Sequence, residues 1–498
     1  MKQPNIVFVF CDQWRFDCIS GFGHPDVQTP HLDALFADGV GFDNVVTPCP
    51  LCVPARMSLF SGRYVHQHGG YNNSQGLWPD SPNMVRCIRD QGYDTVQRGK
   101  LHLFWRHDNE LTMSDPLLDA FGFTDAVETT GKCSAGRLRG SAYTEFLRSR
   151  GKLMPFWKDL ADRSWNRKGT PAWGKSILNE DEHIDTWIMN RGVDCLKAYQ
   201  ASKKPYLLWV GPPGPHDPFD PAGRWATMYN PDTLDVGLRR DSQDPCTLEF
   251  VHKEHGDRYR QAPDHVIRQM RSQYYGNISA IDDGIGKMVS ELKSQNRYDQ
   301  TWFVFAADHG EMLGDFHCTG KTIFHRASDQ IPLIIKPPAH YTQCPRGTLS
   351  HALVELIDIG STLNDIAGGQ LQDDMGRSLL PLLTGRKNVH HFREVCFSQF
   401  KANAMFRTPT RKLIYTFDQM FAVDQKPTLN TLYHLDIDPD ETTNQLQDHM
   451  DEAMALYEKY AQPFYMKTSP EKLPDLWEDQ EPWSKWGCYP HVDSMYKD

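Results

Sequence analysis

Four apolar runs, each continuous rather than alternating, constrain the fold of this chain more than any other feature: Asn5–Phe10, Tyr206–Val210, Thr301–Ala306 and Pro332–Ile335. A strand with one wet face alternates apolar and polar residues, so an unbroken run implies that both faces are covered. Helical patterns lie between these runs, at about 181–202 and 264–294. Strands alternating with helices predict an α/β fold, with a large central, mostly parallel (mixed) sheet flanked by helices.

Polar residues follow three of the runs: Asp12 and Gln13 after the first, His216 after the second, Asp308 and His309 after the third. Ligands of open α/β sheets bind beyond the carboxyl ends of strands, so the three clusters predict one shared site. Taken singly, each is equally a capped strand end.

Beyond about residue 386 the pattern changes. Short strand-like runs at Glu394–Ser398, Lys412–Thr416 and Thr431–Leu435 are followed by a helical stretch, Asp451–Tyr460. This predicts a catalytic domain over 1–385 and a smaller C-terminal α+β subdomain over 386–498, an antiparallel sheet with a packed helix. Two segments with little periodicity, about 104–180 and 222–262, read as insertions that wall a site. The acidic run Asp436–Glu441 reads as a solvated turn. Trp477, Trp483, Trp486 and Tyr489 in the tail suggest packing on the body or on a second copy, hence a homo-oligomer.

The net charge of −11 argues against nucleic acid as a partner, though a local cationic pocket for a small anion remains compatible with it. No stretch approaches the roughly 18 apolar residues that span a bilayer, so no membrane association is expected. The N-terminal residues run straight into a strand, and the twelve cysteines form no paired framework. Both point to a cytoplasmic protein, or a periplasmic one if a leader precedes Met1. Cys11, Cys18, Cys49 and Cys52 are close in sequence but lack the paired C-x-x-C hooks of a zinc site.

The segment Cys52-Val53-Pro54-Ala55-Arg56 has the pattern C-x-P-x-R and continues Met57-Ser58-Leu59-Phe60-Ser61-Gly62-Arg63-Tyr64. Pro54 can sit in the first turn of a helix, where its missing N–H costs nothing. Residue 52 then lies at the helix N-terminus, where amides and the dipole favour an anion, with Arg56 one turn on. Read alone, Cys52 is equally a small buried hydrophobe.

Together with Gly99-Lys100-Leu101-His102, Pro215-His216, Asp308-His309-Gly310-Glu311 and Lys321, in that order, the motif resembles the type I sulfatases, of the alkaline phosphatase-like superfamily. The resemblance implies that a maturation enzyme oxidises Cys52 to formylglycine, whose hydrate attacks sulfur with one hydroxyl and releases sulfate through the other. It implies one divalent cation, calcium with magnesium or manganese as alternatives, held by Asp12, Gln13, Asp308, His309 and the oxygen on residue 52. Many sulfatases have Asp where this chain has Gln13, and Asn where it has His309. Arg56 would pair with sulfate or the diol. Lys100 and His102, two apart on an extended segment, would share a face, Lys100 on sulfate and His102 as a candidate base. His216 and Lys321 would flank the leaving group, one of them as general acid.

The expected activity is hydrolysis of a small anionic sulfate ester, with a sulfated carbohydrate as the expected substrate. Tyr71, Asn72, Asn73, Trp78, Trp105 and Arg106 could line the mouth, or equally be packing residues. Two alternatives stand beside it. One is a phosphonate monoester or phosphodiester hydrolase of the same superfamily, which Ala55 and Asp12-Gln13-Trp14-Arg15 resemble. The other is a non-catalytic protein that binds sulfated glycans.

Overall fold

The structure, a computed structural model, describes residues 3–79, 81–103, 116–129, 131–132, 141–165, 172–239, 263–418 and 427–470. Nine strands form one sheet: β1 (Asn5–Cys11), β2 (Val40–Val46), β3 (Asp94–Gly99), β4 (Asp125–Glu128), β5 (Tyr206–Gly211), β6 (Thr301–Ala307), β7 (Gln330–Lys336), β8 (Thr348–Ser350) and β9 (Val354–Glu355). Their spatial order is β4-β3-β5-β1-β6-β7-β2-β8, with β9 also pairing to β2. Every neighbouring pair is parallel except the two made by β7, the one reversed strand. The expected mixed sheet is therefore present, and all four apolar runs lie in it.

The unbroken runs have the predicted cause. On β5, Val210 touches Gly192 of the helix Ile184–Ala198. Its neighbour Trp209 turns the other way, 5.2 Å from Phe60 of the helix Cys52–Ser61. Consecutive strand residues point to opposite faces, so both faces carry helices. β1 lies at the centre, with Val9 opposite Val210 on one side and Phe305 on the other. Phe8 meets Trp209 edge-on at 4.8 Å, a geometry that adds about 0.5–1.5 kcal/mol beyond area burial.

A second sheet is an antiparallel meander of β10 (Cys396–Phe400), β11 (Asn403–Arg407), β12 (Arg411–Thr416) and β13 (Thr428–His434). The helix Met450–Leu456 continues through a π-turn at Tyr457–Ala461 into Gln462–Thr468. Its Tyr457, Ala461 and Tyr465 join Phe406 and Tyr415 in one core.

Two expectations need correction. Residues 104–180 are not irregular where described: they contain the edge strand β4 and the helices Pro116–Ala120, Ala142–Ser149 and Leu153–Trp165. The turn Asp436–Glu441 is not wholly solvated, because Glu441 is fully buried against Lys412 of β12 at 2.9 Å. Trp105, Arg106 and the aromatic tail from Trp477 lie outside the described residues. No helix among the described residues is long and apolar enough to cross a membrane.

Candidate active site

Five parallel strands deliver side chains to one place. Asp12 and Gln13 follow β1, Lys100 to His102 follow β3, His216 follows β5, Asp308 and His309 follow β6, and the segment after β2 leads into Cys52. Two glycines let the outer pair approach. A Cβ on Gly99 would lie 2.3 Å from the Gly211 carbonyl oxygen, and one on Gly211 would lie 2.4 Å from that of Lys100. Only bare backbone fits there, and the Lys100 amide donates to the Gly211 carbonyl at 2.7 Å.

Cys52 is the first residue of its helix and is buried. Pro54 stands third, where its missing amide hydrogen is one of the four a helix start leaves unpaired. The Val53 amide donates to Asn73 Oδ1 at 3.1 Å, so Asn73 fixes the backbone beside Cys52. Cys52 Sγ occupies the place where the formylglycine oxygens would branch from the same Cβ. It lies 3.1 Å from His309 Nε2, 3.2 Å from Lys321 Nζ and 3.7 Å from Asp12 Oδ1. Burial opposes ionisation of this thiol, but Lys321, His309 and Lys100 outweigh it and hold its pKa well below the ordinary value.

Arg56 is completely buried. Its Nε donates to Asp308 Oδ2 at 2.8 Å, its Nη2 to Asp12 Oδ2 at 3.2 Å, and its Nη1 to the Leu101 carbonyl at 3.2 Å. The guanidinium thereby locks two carboxylates and the Lys100–His102 segment in one frame. Lys100 Nζ also pairs with Asp12 Oδ2. Burial pushes the Asp12 carboxyl up, yet Lys100, His216 and Lys321 bring it well below the carboxylate range.

Asp12, Asp308, His309 and Cys52 form a cluster with one donor atom from each within 4.8 Å of the others. His309 Nδ1 lies 3.0 Å from the Gly310 carbonyl, so a bound cation would meet the ring at Nε2, with the ring proton on Nδ1. From that Nε2, Asp308 Oδ1 lies at 3.5 Å and Asp12 Oδ1 at 3.8 Å. Oxygen ligands about 2.4 Å from a hard cation stand roughly 3.4 Å apart around it, so two carboxylates and one imidazole fit a divalent ion here. Gln13 stands beside this set but is turned away from it. Its Oε1 accepts from Lys321 Nζ at 2.6 Å and its Nε2 pairs with Glu311.

His102 does not lie on an extended segment: its φ is 55°, in the left-handed region, so the shared-face expectation for Lys100 and His102 fails. Its imidazole still reaches Cys52, and its Nδ1 is buried without a hydrogen-bond partner. Burial, reinforced by Lys100, pushes its pKa down to about 4, which keeps it neutral. His216 also reaches Cys52, with Nδ1 only 2.7 Å from the Asp217 carbonyl. Burial and Lys321 disfavour its protonation, but Asp217 and Asp12 prevail and raise its pKa. Its loop is joined to the end of β1, where the Asp12 amide donates to the Gly214 carbonyl at 3.2 Å.

Supporting residues that sequence reading passed over include Glu128 and Glu311. Glu128, at the end of β4, accepts from the Leu101 amide at 2.8 Å and the His102 amide at 3.4 Å. Glu311 accepts from the Leu313 amide at 2.9 Å and the Gly320 amide at 2.6 Å, which shapes the loop that carries Lys321. Glu311 stands in a quoted motif and carried that signal; Glu128 stands in none. Of the residues assigned to the mouth, Asn73 adjoins the helix that Cys52 opens, Asn72 accepts from Ser74, and Tyr71 and Trp78 pack half-buried on apolar clusters.

The sulfatase family model matches residues 4–369. The chain belongs to the sulfatase family. A second model, the C-terminal part of N-sulphoglucosamine sulphohydrolase, matches residues 314–462. An arylsulfatase of Clostridium perfringens is 26% identical over 89% of this chain and 90% of its own length. The multifunctional alkaline phosphatase superfamily protein PehA of Trinickia caryophylli is 28% identical over 93% of this chain and 94% of its own. A phosphonate monoester hydrolase from Silicibacter pomeroyi superposes with a TM-score of 0.75 at 25% identity, covering 94% of this chain and 96% of that one. This sulfatase is a sulfuric ester hydrolase, and its family implies both a divalent metal and a formylglycine.

Proposed function

We propose that this sulfatase acts on a small sulfated carbohydrate, through a formylglycine made from Cys52 and a divalent cation at Asp12, Asp308 and His309, calcium first. The observation that carries the reading is the position of Cys52. It sits at a helix start, with the anionic ligand cluster on one side and Lys321, Lys100, His102 and His216 around it. When bound, the cation would supply charge for a sulfate oxygen. The formylglycine hydrate would supply a nucleophile that can later collapse to release sulfate.

The chain's own groups do the rest. Asp12, Asp308 and His309 would hold the cation, while Gln13, turned onto Lys321, would reach it only by rotating. Arg56 holds the two carboxylates rather than facing substrate, so we assign it positioning. Lys100 and Lys321 offset the single negative charge that the three sulfate oxygens share in a buried site, where such charges act strongly. His102, neutral with one bare ring nitrogen, is suited to take a proton from the residue 52 hydroxyl. His216 and Lys321 lie where a leaving oxygen would need a proton, and we assign the acid to His216, with Nε2 as the delivering atom. Asn73, with Asn72, Tyr71 and Trp78 nearby in the chain, supplies the amide and aromatic groups that suit a sugar. Since the aryl rings of Tyr71 and Trp78 are partly committed to packing, the sugar reading rests most on the amides.

The test is the mass of the peptide containing Cys52 from protein made with its natural maturation machinery, together with sulfate release from a panel of sulfated sugars. A formylglycine mass and turnover that disappears in Cys52→Ala support the reading. An unmodified thiol in active protein sinks the nucleophile. Stripping divalent ions with a chelator should abolish turnover, and calcium should restore it.

The likeness of shape to a phosphonate monoester hydrolase supports a second reading, hydrolysis of phosphonate monoesters or phosphodiesters at the same site. Relative turnover of one aryl alcohol's sulfate and phosphonate esters separates the two. Faster phosphonate cleavage would make the second activity primary.

A further inference from the structure

On the small sheet, a second set of side chains of metal-ligating type converges. His434 ends β13, His449 caps the helix Met450–Leu456, and Glu452 stands in that helix's first turn. His434 Nε2 lies 3.1 Å from Glu452 Oε2, and His449 Nδ1 lies 3.4 Å from that same oxygen. Their three donor atoms all fall within 4.8 Å of one another. Ligands about 2.0–2.1 Å from a tetrahedral zinc ion stand roughly 3.3 Å apart, close to both observed separations.

The groups behind the trio complete it. Glu452 Oε1 accepts from Arg411 Nε at 2.7 Å, which leaves Oε2 to face the imidazoles and fixes the carboxylate's direction. Arg411 is itself paired through Nη1 with Asp436 Oδ1 at 2.7 Å, so its charge is met locally and does not stand against a cation. His434 is largely buried, whereas the side chains of His449 and Glu452 are 43% and 33% exposed, so an ion can enter and a fourth position stays open to water. The two imidazole rings stand 4.7 Å apart and tilted by 59°, not stacked flat, as two ligands turned toward one ion would be.

We propose that His434, His449 and Glu452 form a second metal site, selective for zinc among abundant cations, that clamps the end of β13 to the C-terminal helix. Two imidazoles and one carboxylate suit zinc and disfavour calcium and magnesium, which prefer all-oxygen shells. Zinc binding replaces the His434 hydrogen bond and the close approach of His449 now made to Oε2. Each imidazole binds through its lone pair as the neutral tautomer, with its proton on the other ring nitrogen. The site shares no residue with the catalytic cluster, so its failure would leave the proposed sulfatase chemistry untouched.

The experiment compares the full-length chain with His449→Ala and Glu452→Gln after chelator treatment. Zinc uptake is measured by elemental analysis and titration calorimetry, and Tm with and without zinc. Because zinc can also enter the catalytic cluster, the informative quantity is the difference between proteins. We expect the unaltered chain to bind one zinc ion more than His449→Ala, and to gain several degrees in Tm that neither variant gains. Glu452→Gln should weaken that additional site at least tenfold. Equal zinc stoichiometry and equal Tm shifts in all three proteins would overturn the proposal.

Discussion

Glu128 shows how much of the proposed site depends on residues outside the cluster around Cys52. Its carboxylate carries the amides of Leu101 and His102, so it holds the turn that puts His102 at φ 55° and Lys100 against Asp12. A non-glycine residue held in the left-handed region costs of order 1 kcal/mol and persists only where its surroundings enforce it. Burial pushes the Glu128 carboxyl up to about 7, against the pull of those two amides. Glu128→Ala should therefore lower kcat by about 10²-fold, the loss typical of a small misplacement of reacting groups. Glu128→Gln keeps an acceptor oxygen and should recover most of it. Steady-state kinetics on one aryl sulfate would decide, and an alanine variant with unchanged kcat would show that the turn holds without Glu128. The residues we assign to the reaction could be proposed from the sequence because chemistry restricts them to few types in a fixed order. Glu128 was not: accepting two amides requires only a carboxylate at the right place, and nothing in its neighbours Ala126, Val127 and Thr129 marks that place.

At the scale of elements, the continuous apolar runs located the central strands, since only burial on both faces permits them. β2, β3 and β4 escaped notice because they carry polar residues that the fold satisfies at long range. Thr95 Oγ1, for example, donates to the Gly122 carbonyl at 2.5 Å, a partner 27 positions away. The short helix Val65–His68 was equally hidden, and it carries a testable consequence. His68 Nδ1 accepts from the Gly70 amide at 3.0 Å, and Nε2 lies 2.9 Å from Ser58 Oγ. A proton on Nδ1 would face that amide hydrogen directly. Burial, with Arg63 adding to it, pushes the pKa of His68 down to about 3, and burial does the same for His66. Between about pH 6.5 and 3 the unfolded chain binds protons that the folded chain refuses, so stability must fall as pH falls. Each histidine contributes up to about 1.4 kcal/mol per pH unit across that window. His68→Asn keeps an acceptor for Gly70 but cannot titrate. Its stability measured by urea denaturation should decline less steeply below pH 6, by about one proton's worth of slope. An unchanged slope would mean that His68 charges in the folded state.

Across the whole molecule, the two sheets are joined by buried charge as well as by apolar packing. Lys412 on β12 reaches Asp329 Oδ2, just before β7, at 2.7 Å and Glu441 Oε1 at 2.9 Å, and all three side chains are fully buried. Glu441 Oε2 also accepts from the Arg326 amide at 2.9 Å, which anchors the segment that runs back to Lys321. Burial alone would push the Glu441 carboxyl up, but Lys412 and His325 hold it well below the carboxylate range. Lys412→Met fills similar space and removes the ammonium that pairs with both carboxylates. Leaving a buried charge without its partner costs about 3–5 kcal/mol, far more than an exposed ion pair contributes. Lys387→Met, at an exposed lysine, should change stability by no more than about 0.5 kcal/mol. Denaturant unfolding of the two variants decides the matter. A small loss in Lys412→Met would mean that Asp329 and Glu441 take up protons and that apolar packing alone joins the sheets. A large loss would make the buried triad a condition for joining the small sheet to the segment that runs back to Lys321.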